Sequence, residues 1–79
     1  MSAKAFVLIE TAVGKTKDVI AVLHRTQGIK SVDAVTGPYD IIAVVEEDDL
    51  NAVGNLVTTK VHPIDGVTRT VTCLAIRVS

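Results

Sequence analysis

Aromatic residues are almost missing from this 79-residue chain: Phe6 and Tyr39 are the whole set, 3% of the sequence, with no tryptophan. With so few rings the protein has no stacking surface, and its core must be aliphatic. Cysteine occurs once, as Cys73. No intrachain disulfide can therefore form, and no Cys/His cluster has the spacing of a zinc site. Charge of one sign is lacking too, with eight Lys and Arg against nine Asp and Glu, a net charge of -1 and a pI near 6.0. No basic face is available to neutralise phosphates, which argues against direct nucleic-acid binding. No apolar run approaches the length that spans a bilayer. Met1 and Ser2 lead into a strand-like segment without a basic flank, a full-length h-region or a cleavage site. These absences predict a cytoplasmic protein with neither membrane nor nucleic acid as a direct partner.

What is present is aliphatic: 48% of the residues are hydrophobic. A single domain of this size buries only roughly 60% of its unfolded surface and is marginally stable alone. Without disulfide or metal, association is the remaining source of stability.

Ala5 to Ile9 is a continuous apolar run rich in β-formers, read as the first strand, followed by a turn from Thr11 to Gly14. From Lys15 to Thr26 the period becomes helical, with Val19, Ile20, Val22 and Leu23 on one stripe and Lys15, Lys17, His24 and Arg25 mostly off it. Gly28 is placed to stop that helix. Ile29 to Val35 reads as an edge strand, because Lys30, Ser31 and Asp33 interrupt it. Ile41 to Val45 is a third strand with no polar residue. Asp48 or Asp49 can cap a second helix, in which Leu50, Val53, Val57 and Val61 recur at helical spacing until Pro63 ends it. The last strand runs from Val67 to Val78, with Thr68, Thr70 and Thr72 alternating and so expected on one face.

The two halves repeat: strand, helix, Gly followed by Ile or Val, strand, with Gly28 and Gly66 lying 38 residues apart. The order βαββαβ predicts an α+β, ferredoxin-like fold, a four-stranded antiparallel sheet with both helices on one face and strands 1 and 3 in the middle. Those are the two fully apolar runs. Two helices cover only one face, so the apolar residues facing the other way would form an exposed patch. A second copy is expected to cover it, giving a homodimer with sheets face to face.

Between strands 2 and 3 lies Thr36-Gly37-Pro38-Tyr39-Asp40. Gly37 reaches backbone angles closed to other residues and Pro38 fixes its own φ, so the turn is stiff. Tyr39 and Asp40 then bring a hydroxyl, a ring face and a carboxylate to one edge of the sheet.

In this setting the steps Gly28-Ile29 and Gly66-Val67, the turn Thr36 to Asp40 before an aliphatic strand, and the Thr-rich start of the last strand resemble the effector-binding (RAM, regulation of amino acid metabolism) domain of the Lrp/AsnC transcriptional regulators. The resemblance covers nearly the whole chain. It implies a dimer that assembles into an octamer or decamer, with a free amino acid bound between dimers and transcription regulation as the output. Full-length members carry an N-terminal helix-turn-helix domain, and nothing precedes the first strand here. Residues 1–79 are thus expected to be a single, stand-alone ligand domain that modulates full-length relatives.

A free amino acid needs an acceptor for its ammonium and several donors for its carboxylate. Asp40 is the natural ammonium partner, and the backbone N–H groups around Gly37 and Tyr39 are candidate carboxylate donors, since glycine lets a ligand approach the main chain. By resemblance, Thr70 and Thr72 add hydroxyls from the last strand.

Other signals are weaker. Gly14-Lys15-Thr16 matches the end of a P-loop, but the position five residues before Gly14 is Ile9 rather than glycine, and no cofactor motif is complete. His24 and His62 have no ligand-spaced partner and are expected at the surface; Cys73 is expected as a small buried hydrophobe. Glu46 to Asp49 reads as a solvated helix start. A dimeric αβ-barrel enzyme would need an acid, His, Tyr or Asn in its cavity, which the central strands do not supply. An ACT-like amino-acid sensor would associate its sheets side by side.

Overall fold

The computed structural model describes residues 2–76. In chain order it contains β1 (Ala3–Thr11), α1 (Thr16–His24), β2 (Ile29–Ala34), β3 (Ile41–Glu47), α2 (Leu50–Leu56) continued by a π-helical turn (Val57–Val61), and β4 (Val67–Leu74). The sheet is antiparallel with strand order β2-β3-β1-β4. The two unbroken apolar runs therefore sit in the centre, as their composition predicts.

Strand alternation divides the central residues into two sets. Ala5, Val7 and Ile9 of β1 and Ile41, Ala43 and Val45 of β3 are fully buried beneath the helices. Val19 and Leu23 of α1 and Val53, Leu56, Val57 and Val61 of the second helical segment complete this core. On the opposite face, Leu8 pairs with Ile42 and with Val71, while Phe6 pairs with Val44 and with Cys73. Nothing within the described residues covers this second apolar layer, and Phe6 is 37% exposed.

Each helix ends where its sequence turns polar or loses donors. The α1 segment stops at His24, two residues before the expected Thr26, because the N–H groups of Arg25 and Thr26 reach back only three residues, to Val22 and Leu23. Asp49, in extended conformation, caps α2 by accepting from the Ala52 N–H at 2.8 Å. Leu50, expected on the apolar stripe, is 59% exposed; Leu56 takes the buried place instead. The expectation of a regular helix to Val61 also needs correction. His62 N–H bonds the Val57 carbonyl, five residues back, while the Thr58 and Thr59 hydroxyls take the carbonyls of Gly54 and Asn55. Those hydroxyls compete for acceptors that an α-helix reserves for backbone N–H groups.

Gly28 and Gly66, the two helix-to-strand steps, both have strongly positive φ, 96° and 103°. They are also tightly enclosed. A Cβ on Gly28 would overlap the Leu56 side chain and the Glu47 carboxylate, and one on Gly66 would come within 2.7 Å of Lys15 Cβ. The repeat seen in the sequence is therefore a repeated steric solution, a left-handed residue packed under the other half's helix or strand end. The expected extension of β4 to Val78 reaches residues outside those described; the ladder is followed as far as Ala75, whose N–H bonds Lys4 O at 2.8 Å.

Candidate functional site

The Val35–Asp40 turn is closed by Val35 N–H donating to the Asp40 carbonyl at 2.9 Å. Gly37 at its tip has φ +121° and open space around its α-carbon, so its requirement is conformational rather than steric. Asp40 then locks the turn to β1. Its N–H donates to Ile9 O at 2.9 Å, and its Oδ2 accepts from Thr11 N–H at 2.8 Å and from Thr11 Oγ1 at 3.2 Å. Because Thr11 commits its hydroxyl proton to Asp40, the 2.7 Å contact between Thr11 and Thr16 Oγ1 has Thr16 as donor. A relay from α1 through the end of β1 thus orients one carboxylate oxygen. Oδ1 has no protein partner among the described residues.

Across β1 from this turn, β4 begins with an irregularity. Thr11 faces Val67 but Glu10 faces Arg69, which leaves Thr68 as an extra residue. This bulge overturns the expectation that Thr68, Thr70 and Thr72 share a face. Thr68 turns to Glu10, donating to its carbonyl (3.1 Å) or to Oε1 (2.9 Å), while Thr70 and Thr72 stand opposite Ile9 and Val7 on the helix side. Thr70 is half-buried and shares a 2.9 Å hydrogen bond with His62 Nε2. Thr72 is exposed, further along the strand.

The structure therefore brings Tyr39 and Asp40 to one end of the sheet with Gly37 at the tip, sets Thr70 at the same end on β4, and leaves Thr72 toward the middle. Three participants were not foreseen from sequence: Thr11, Thr16 and Arg69. Thr16, seen there only as part of an incomplete P-loop, is the donor that starts the relay. Arg69 places its guanidinium carbon 5.7 Å from the centroid of the Tyr39 ring, a cation–π contact linking the turn to β4. The visible signal was a lone arginine among threonines. The strand pairing that brings it across from Glu10 and within reach of Tyr39 was not visible.

Arg69 also lines a depression of about 340 Å³ at the outer side of β4, together with His62, Val67, Thr68 and Thr70. That volume lies in the range of small-ligand pockets. A larger groove of about 730 Å³ opens at the far end of the sheet among Arg25, Lys30, Glu46, Glu47, Asn55 and Lys60. It is an open channel walled by charges of both signs and holds none of the expected site residues. Among the described residues no three His, Cys, Asp or Glu side chains gather as a metal site. Both histidines are exposed as expected, but Cys73 is exposed rather than buried, because it points to the uncovered face.

The Lrp/AsnC ligand-binding domain model matches residues 4–79. The chain belongs to the Lrp/AsnC family. Among solved structures, this Lrp/AsnC domain is similar to TTHA0845 from Thermus thermophilus, at 32% identity and TM-score 0.91, with 98% of this chain and 96% of that chain covered. It is also similar to FFRP-DM1, at 34% identity and TM-score 0.89, covering 94% and 99% of the two chains. The regulator NMB0573 of Neisseria meningitidis, solved as a complex with L-Met, shares the fold at 18% identity and TM-score 0.85; the match covers 95% of the chain described here and 50% of that one. No curated protein matches the chain. Among the described residues no helix is long and apolar enough to cross a membrane.

Proposed function

We propose that this Lrp/AsnC domain is a non-enzymatic sensor that binds a free amino acid at the Gly37–Asp40 turn and acts on transcription through a homo-oligomer. The observation that carries the reading is the Asp40 carboxylate. Two donors from Thr11 hold one oxygen while the other has no partner among the described residues, beside Tyr39 and the open tip at Gly37. An aligned carboxylate of this kind suits an ammonium group. The N–H groups of Gly37 and Tyr39 are engaged by no backbone carbonyl of the turn and can donate to an anion. The L-Met complex of the Neisseria regulator supports the ligand class.

The uncovered face supports assembly. Phe6, Leu8, Ile42, Val44, Val71 and Cys73 form one apolar field, with Lys4, Glu10, Asp33, Glu46 and Arg69 around it. A second copy turned face to face removes that field from water, and dimers then assemble into an octamer or decamer with the turn at their junctions. The apolar centre of this field offers no acid, base or nucleophile other than Cys73, the charged groups lying at its rim, which speaks against the barrel-enzyme alternative.

The test is light scattering coupled to size-exclusion chromatography, together with thermal melting, without ligand and with each common amino acid at millimolar concentration. An effector present at about 100 times its Kd adds about 2.7 kcal/mol and raises Tm by on the order of 10 °C. A protein indifferent to every amino acid in both size and Tm overturns the sensor reading.

A further inference from the structure

We propose that Arg69 is the residue that binds the carboxylate of the effector, opposite the Asp40 that takes its ammonium. This rests on the sensor reading above and adds a residue to it.

Four observations converge on Arg69. Regular β1–β4 pairing, Phe6 with Cys73, Leu8 with Val71 and Glu10 with Arg69, sets it directly across from Glu10, one residue after the bulge at Thr68. Glu10 nevertheless does not pair with it: its carboxylate lies 2.9 Å from the Thr68 hydroxyl, and the single ion pair among the described residues is Lys15–Asp65. The Tyr39 ring holds the guanidinium at 5.7 Å without consuming a hydrogen bond. Finally, Arg69 lines the 340 Å³ depression that also contains Thr70, so it joins the turn half of the site to the strand half.

The chemistry matches. A guanidinium held over a ring by a cation–π contact keeps its N–H donors free and can meet a carboxylate with two parallel hydrogen bonds, which an ammonium cannot do. The turn itself offers the Gly37 and Tyr39 N–H groups, but Pro38 has no N–H and Asp40 N–H is used by Ile9 O. Asp40 and Arg69 stand on the strands flanking β1, about 10 Å apart at normal strand spacing. The long arginine side chain closes most of that gap and leaves room for a molecule carrying both an ammonium and a carboxylate. An isolated cation would not use Arg69, and an isolated anion would not use Asp40.

The test separates the carboxylate from the rest of the ligand. Calorimetric titration of the wild-type protein, Arg69→Gln and Arg69→Lys uses the common L-amino acids and their α-carboxamides, which lack the negative charge. For the best-bound acid, Arg69→Gln should weaken binding by about 10- to 100-fold, the usual scale for losing a charged hydrogen bond, while its carboxamide should bind wild type and variant alike. Arg69→Lys should recover part of the loss, keeping the charge without the fork. If Arg69→Gln weakens acid and carboxamide equally, or neither, with the fold intact by circular dichroism, the assignment of Arg69 is overturned while the sensor reading stands. If the wild type binds no amino acid, both fall together.

Discussion

Asp40 accepts the Thr11 backbone N–H at 2.8 Å, so the turn after β2 and the end of β1 behave as one unit although 29 residues separate them. Replacing Asp40 by alanine leaves that amide without its partner in a half-buried position. Asp40→Ala should cost about 1–3 kcal/mol of stability, and Asp40→Asn, which retains an acceptor oxygen, clearly less. Denaturant unfolding of the two variants checks the order. Both should also lose amino-acid binding, the asparagine variant because it lacks the charge.

Gly28 and Gly37 share a positive φ but differ in surroundings. Gly37→Ala meets only the conformational penalty, about 1–2 kcal/mol. Gly28→Ala must in addition displace Leu56 and Glu47 and should be the more destabilising by at least about 1 kcal/mol. Equal midpoints in urea would contradict this difference.

Val44 stands on the open face, opposite Phe6 and away from the helical core. Val44→Lys should leave the far-UV circular dichroism unchanged yet reduce the mass seen by sedimentation to that of a monomer. A dimer that persists in the variant would place the association elsewhere.

The Asp49 carboxylate satisfies one of the free N–H groups at the start of α2. Asp49→Ala should cost about 1 kcal/mol, and Asp49→Ser much less. Thermal melting distinguishes them, since a loss of about 1 kcal/mol lowers Tm by roughly 4–8 °C in a domain of this size.

Much of the candidate site was legible in local sequence. The turn is written in consecutive residues, and Gly37 and Pro38 specify its shape whatever surrounds them. Its partners were not legible. Thr11 and Arg69 meet the turn through strand pairing, Thr16 meets it through the Thr11 hydroxyl, and the bulge that turns Thr68 toward Glu10 depends on how β4 lies along β1. An alternating Thr pattern cannot reveal a bulge, because period-2 counting assumes an unbroken ladder.

The same division holds for the whole chain. Sequence by itself determined the elements, their βαββαβ order and the central places of β1 and β3, because periodicity and unbroken apolar runs act through neighbouring residues and the need for burial. It also located the two glycine steps. Only the tertiary structure decided that Leu50 stays in solvent while Leu56 is buried, that the second helical segment widens at Val57, that Cys73 faces the uncovered side, and that Arg69 lies over the Tyr39 ring. These outcomes depend on which atoms arrive from distant parts of the chain, and pairing register and helix seating, rather than local preference, bring them there.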